Sequence, residues 1–243
     1  MIVEPLAPSL DLTVHWTKEA ERARMATVLD AYFTAIKRID EHYAAMKIDR
    51  VVIDRQYPYQ TTLGDSSKPM AEFHYIDRVP GKLVFFAHTA VGERLCVKFT
   101  RQYSADVHEY MAKLGLAPRL LGIQNIPGGW KMVVTDYSDY IRLAEMAPNA
   151  NTRMVIRGAV LAAIQKLHDG GYVHGDIRDV NILVNTESCI QIHIIDFDWA
   201  GRIGEATYPL EVNTVTLKRP MDVTGGGQIL QRHDIEMAHE LFS

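Results

Sequence analysis

The chain has 243 residues, 47% of them hydrophobic, and a net charge of −4 at pH 7. That suits one globular domain, or two small lobes around a cleft, and gives no electrostatic case for nucleic acid as a main partner. Two cysteines, Cys96 and Cys189, cannot form a disulfide framework, and no His/Cys cluster has zinc spacing.

Residues 1–13 lack a basic region followed by an apolar core, and no apolar run is long enough to span a bilayer. The expected location is therefore cytoplasmic or nuclear, with no membrane partner. The first residues, with Pro5 and Pro8, read as extended. A helix is expected over about 17–47, where Met25, Val28, Leu29, Tyr32, Ile36, Ile39, Tyr43 and Met46 recur at helical spacing. Thr17 is its candidate N-cap. The helix is expected to pack on the body of the domain, with a partner-binding role as the alternative.

Residues 54–69 carry two prolines, a glycine and paired serines, and read as a loop. Three β-like runs follow, at 73–76, 83–86 and 95–99, with turns at Pro80-Gly81 and Gly92-Glu93. They read as an antiparallel meander. A short helix over about 105–114 stops at Gly115. Two further strands are expected near 120–126 and 130–136, joined by Pro127-Gly128-Gly129. Residues 152–168 read as a helix ended by Gly170 and Gly171. Two short apolar runs, 182–184 and 190–195, come next. Gly225-Gly226-Gly227 reads as a flexible loop, since it matches neither a Walker A nor a dinucleotide fingerprint. The order predicts an α+β chain: a β-meander N-lobe, a helical C-lobe and a cleft between them.

The chemistry concentrates in Tyr172-Val173-His174-Gly175-Asp176-Ile177-Arg178-Asp179-Val180-Asn181, followed by Ile195-Asp196-Phe197-Asp198. These motifs resemble the protein-kinase-like superfamily, whose catalytic loop reads H-[RG]-D-x-x-x-x-N and whose metal turn reads D-F-G or a variant. The resemblance covers roughly residues 73–243. It implies a bilobal fold with a 1–70 extension, an N-lobe over about 71–136 and a truncated C-lobe over about 137–243.

It also implies ATP and Mg²⁺ as cofactors, and a hydroxyl acceptor on a protein or small molecule. Asp176 takes the role of base, Asn181 and Asp196 those of metal ligands, and Arg178 that of contact to the transferred phosphate. Val97-Lys98-Phe99 resembles the strand lysine that meets the α- and β-phosphates. Its helix carboxylate is Asp106 or Glu109, with Asp106 preferred. Residues 130–137 resemble the strand entering the interlobe hinge, so that Thr135 would line the adenine pocket and the backbone of Asp136 and Tyr137 would meet the base. Asp234 resembles the aspartate that accepts from catalytic-loop amides. His174 and His193 read as structural.

Three departures stand out. The turn between the first two meander strands offers only Gly81, Asp198 replaces the glycine of the metal turn, and no counterpart of the later C-lobe helices follows Asp234. Asp198 and the His-Gly-Asp form resemble small-molecule kinases. Gly175 also leaves no arginine to be neutralised by a phosphorylated loop. The alternative to a phosphotransferase is a pseudokinase, a binding module that keeps the fold without turnover.

Overall fold

A computed structural model describes residues 17–45, 57–65 and 68–243. The expected extended start and the last turn of the first helix lie outside these residues. The chain forms two compact units, Met1–Arg55 and Gln56–Ser243.

In the first unit, helix α1 (Glu19–Ala45) has acidic residues in its first turn, Glu19 and Glu21, which suits the positive end of the helix dipole. It buries no residue, and Tyr32, Phe33, Ile39 and Tyr43 are exposed.

The second unit begins with a hairpin, β1 (Thr62–Asp65) and β2 (Lys68–Arg78), where the sequence predicted only a loop. The composition misleads because the turn-forming residues sit at an irregular edge. The β1–β2 register shifts at Gly64, whose φ is 97°, and Pro69 lies where β2 pairs with β1 alone. An edge or a bulge is where a sheet tolerates Gly and Pro.

The meander continues through β3 (Val84–Thr89) and β4 (Arg94–Thr100). Helix α2 (Ala105–Lys113) precedes β5 (Leu120–Ile126) and β6 (Trp130–Asp136). All six strands form one antiparallel sheet in the order β1-β2-β3-β4-β6-β5. Alternate residues of β2, β4 and β6 turn Phe73, Leu95, Val97, Met132 and Val134 into its core.

The helical lobe follows: β7 (Ile141–Arg142), α3 (Ala150–Asp169), β8 (Tyr172–Val173), β9 (Ile182–Asn185), β10 (Gln191–Ile194), β11 (Gly201–Arg202) and α4 (Gln231–Leu241). Helix α3 is capped by Asn149, whose Oδ1 accepts from the Thr152 N–H at 3.0 Å. Its apolar face, Ile156, Val160, Ile164 and Leu167, packs with Ile182, Ile194 and Phe197 into the main core. That core also takes Val107 and Met111 of α2, so the helix that leaves the sheet is fastened into the other lobe.

A smaller core, Val173, Tyr208, Val223 and Ile229, holds the segment between β11 and α4. Here the triple glycine is a packed turn rather than a loose loop. Tyr208 N–H donates to Gly227 O at 2.9 Å, and a Cβ on Gly225 would fall 2.1 Å from Leu210 O. Among the described residues no helix is long and apolar enough to cross a membrane.

Candidate active site

The strand β8 delivers the chain into a loop that folds around two buried groups, His174 and Asp234. His174 Nδ1 accepts from the Asp176 N–H at 3.1 Å, so its proton sits on Nε2, which donates to Ile195 O at 3.2 Å. Asp234, fully buried on α4, accepts from the N–H groups of His174 (2.8 Å) and Gly175 (2.7 Å) and from His168 Nε2 (3.1 Å). A buried carboxylate is sustained by such donors, and the amides in turn would be orphaned without it. Gly175 has φ 80°, and a Cβ there would fall 2.7 Å from Ile229 Cδ1. The loop therefore has no room for a side chain at that position.

These contacts present Asp176 to the cleft with its carboxylate saturated. Oδ1 accepts from Arg178 Nε (2.8 Å) and Arg219 Nη2 (2.7 Å); Oδ2 accepts from Arg178 Nη2 (2.6 Å) and Asn181 Nδ2 (2.8 Å). Burial pushes the carboxyl up, but the two guanidiniums outweigh it and hold Asp176 below the ordinary carboxylate range.

Arg219 carries no local signal in the sequence. Its neighbour Lys218 is an exposed partner of Glu240, whereas the Arg219 side chain is 1% exposed. It also donates to Asn213 O at 3.0 Å and lies 4.9 Å over the Trp199 ring.

Asn181 spends its amide N–H groups on Asp176, at the backbone oxygen (3.0 Å) and at Oδ2. Its side-chain oxygen is thereby turned to the other side. The Ile195 N–H donates to Asn181 O at 3.0 Å and sets the metal turn against the loop. Asp196 then adopts φ 74°, the one positive φ outside glycine among the described residues. Such an off-pattern backbone is held only when its surroundings over-determine it. Here Phe197, fully buried, supplies the hold: it stacks on His108 of α2 at 4.7 Å and meets His174 edge-on at 5.4 Å.

Lys98 of β4 reaches across the cleft to this turn. Its ammonium forms an ion pair with Asp196 Oδ1 and a second with Asp198 Oδ1 at 2.7 Å. Burial opposes its charge, but the two carboxylates prevail and raise its pKa. The structure thus brings Lys98, Asp176, Arg178, Asn181 and Asp196 to one cleft.

Asp106 is not among them. It lies exposed in the first turn of α2, as does Glu109 one turn on, and the expected pairing with Lys98 is replaced by the pairing with Asp198. The reason is the face of the helix: Val107, His108 and Met111 point inward, which turns residues 106 and 109 away.

At the end of β6, Thr135 Oγ1 donates to Asp136 O at 3.0 Å. The Asp136 N–H donates to Arg119 O (3.0 Å) and the Tyr137 N–H to Arg94 O (3.1 Å). The amides of both residues are thus spent on neighbouring backbone. The Asp136 side chain holds Arg119 at 2.9 Å, and the Tyr137 ring packs under Arg94 at 3.6 Å.

The turn above Lys98 is tight. Val79 N–H donates to Val84 O (2.9 Å) and Lys82 N–H to Val79 O (3.1 Å), with Gly81 at φ 72°. Val84 is the register partner of Lys98.

The donor set suits a hard cation. Asp196 Oδ2 and the Asn181 side-chain oxygen are hard oxygen ligands of the kind Mg²⁺ takes. Among the described residues no three His, Cys, Asp or Glu side chains converge as a metal cage. A cation here would complete its shell with phosphate and water.

Comparison with known proteins gives a consistent set. Residues 133–231 match the lipopolysaccharide kinase (Kdo/WaaP) family. The chain is similar to the serine/threonine-protein kinase PSK1 of Saccharomyces cerevisiae, 37% identical over 67 residues, which is 28% of this chain and 5% of that one. It is 24% identical over 185 residues to serine/threonine-protein kinase 1 of African swine fever virus, covering 69% of this chain and 54% of that one. Among solved structures, the Cydia pomonella granulovirus kinase PK-1 aligns with a TM-score of 0.48 at 18% identity, covering 54% of this chain and 53% of that one. The chain spans about half the length of these viral relatives, and far less of the yeast one.

Proposed function

We propose that this chain, which is similar to protein-kinase-like proteins, transfers the γ-phosphate of Mg-ATP to a hydroxyl of a protein or small molecule. The observation that carries this reading is the meeting of Lys98 with Asp196 across a cleft whose base holds Asp176 and Asn181. A cation–carboxylate pair beside a second carboxylate, held in place by two guanidiniums and an amide, is the kind of apparatus phosphoryl transfer requires.

In this reading Asp176 accepts the proton of the acceptor hydroxyl as that oxygen bonds to phosphorus and the bond to the β-phosphate oxygen breaks. Of the three side chains that donate to its carboxylate, Arg178 is the most exposed, at 31%, while Arg219 and Asn181 are buried. Arg178 is therefore the donor free to turn toward the phosphate, and its departure opens a lone pair on each Asp176 oxygen. Asn181 and Arg219 keep the carboxylate aligned meanwhile. Lys98 holds the α- and β-phosphates by charge. Asp196 and Asn181 would hold Mg²⁺, whose charge would offset that of the phosphate oxygens. The purine edge would meet the Asp136 carbonyl beneath Thr135. The tight turn at Gly81 offers few backbone amides to the phosphates, so affinity should be modest and strongly Mg²⁺-dependent.

The test is an equilibrium titration of ATP with and without Mg²⁺, on the parent and on Asp196→Asn. The amide keeps the shape of the carboxylate without its charge. The variant should lose most of the Mg²⁺-dependent affinity and keep its fold. Equal Mg-ATP binding by both proteins would remove Asp196 from the metal site.

A further inference from the structure

Lys98 is gripped twice, and the two grips differ. The pair with Asp196 joins a phosphate ligand to a metal ligand, and both groups have other work once nucleotide arrives. The pair with Asp198 has no such second task. Asp198 Oδ1 accepts from Lys98 at 2.7 Å, while its Oδ2 accepts from Thr100 Oγ1 at 2.8 Å. Lys98 and Thr100 stand two residues apart on β4, on the same face of the strand. One carboxylate thus bridges both and straps the metal turn to the strand.

We infer that Asp198 is the positioning residue for Lys98, occupying the place that a helix carboxylate was expected to fill. The inference rests on the reading of Lys98 as a phosphate ligand.

Helix α2 supports it by what it lacks and by where it is fixed. Its inward face is Val107, His108 and Met111, with both acidic residues outside. Val107 and Met111 belong to the core of the helical lobe, and Tyr110 Oη donates to Lys166 O of α3 at 3.0 Å. Just beyond the helix, Leu116 O accepts from Ile194 N–H at 2.8 Å. Toward the 196–198 turn, α2 and its N-cap offer apolar packing, a ring stack of His108 on Phe197, and a backbone bond from the Ser104 N–H to Phe197 O at 3.1 Å, with no carboxylate reaching Lys98. The lysine therefore takes its place from the metal turn and the strand, and no movement of α2 is needed to assemble it. Each Asp198 oxygen accepts from one protein donor, Lys98 or Thr100, both on β4.

The experiment measures nucleotide affinity of the full chain with Mg²⁺ and with a chelator. The variants are Asp198→Asn, Asp198→Gly and Thr100→Val, each also combined with Lys98→Met. Loss of a hydrogen bond to a charged group should weaken binding about tenfold in both Asp198 variants, with or without metal. Thr100→Val, which removes only the outer bond, should weaken it roughly two- to threefold and keeps the test valid if an Asp198 variant fails to fold. In the Lys98→Met background these losses should vanish, since the group being positioned is gone. Asp106→Asn and Glu109→Gln should bind as the parent does.

A loss confined to the Mg²⁺ titration would make Asp198 a metal ligand and overturn the inference. Losses that add to Lys98→Met, or parent-like affinity in the Asp198 variants, would overturn it too. A parent that binds no nucleotide at all would bring down the phosphotransfer reading itself, and this inference with it.

Discussion

On the helical side of the cleft, Asp176 and Asn181 sit five residues apart in one loop, and Asp234 holds that loop by two of its own amides. On the sheet side, Lys98 finds its partners about a hundred residues away, in the opposite lobe. The helical side is a closed network whose members are nearly all buried, so its geometry survives without ligand. The sheet side is completed by what it faces. Its overhanging turn spends backbone amides on itself, and its neighbouring helix contributes an imidazole instead of a carboxylate. One wall is prefabricated and the other is assembled across the gap. A substitution in the loop should therefore damage structure and chemistry together, whereas one at Lys98 should register chiefly in nucleotide binding.

The largest expected effect lies at the prefabricated wall. Asp176→Asn removes the proposed base and should cut turnover by about 10²–10⁴-fold with little change in nucleotide affinity. Lys98→Met should instead weaken affinity as well. Similar kinetic signatures for the two variants, in steady-state turnover and titration, would erase the distinction between the walls.

A smaller effect is expected at Asp234. Truncation to alanine leaves the His174 and Gly175 amides buried and unpaired, at a cost of about 1–3 kcal/mol. Denaturant melts should show that loss and turnover should fall with it. Unchanged melting would mean the loop does not depend on α4.

The smallest concerns His193, on β10, where its ring stacks on Tyr140 at 4.3 Å and Nδ1 meets Ser138 Oγ at 3.0 Å. Burial pushes its pKa down to about 4. The unfolded chain then takes up the proton first. The stability this group contributes is whole above its ordinary pKa, about 6.5, and is lost as pH falls toward 4. His193→Gln should show a shallower fall in Tm between pH 7 and pH 5 than the parent. Parallel falls would remove His193 from the account of acid sensitivity.

The closeness of Asp176 and Asn181 was readable from the sequence because the two are joined by a short segment: the glycine fits a positive φ under Ile229, and Asn181 reaches back to Asp176 five residues before it. The α+β class was readable as well, since strand periodicity dominates up to Asp136 and helical periodicity follows in α3. The partner of Lys98 was not. Which face of a nine-residue helix turns inward depends on the core that receives Val107 and Met111, and that core is built by α3 and β10. Arg219 was hidden for the same reason: beside Lys218 it reads as a surface cation, and its pairing with Asp176 and its packing on Trp199 and Met237, all distant in sequence, make it an interior one. The β1–β2 hairpin was lost to Gly64 and Pro69, whose turn-like composition serves an irregular sheet edge. Local pattern carries what local geometry enforces, and long-range pairing of charges escapes it.

The most direct measurement is transfer of labelled γ-phosphate from saturating Mg-ATP by the full chain, run in parallel on protein, sugar and amino-alcohol acceptors. The account predicts phosphate on at least one class of hydroxyl, and its near-disappearance in Asp176→Asn. A parent that binds Mg-ATP yet labels none of the three classes, with Asp176→Asn indistinguishable from it, would contradict the account and leave a nucleotide-binding module in its place.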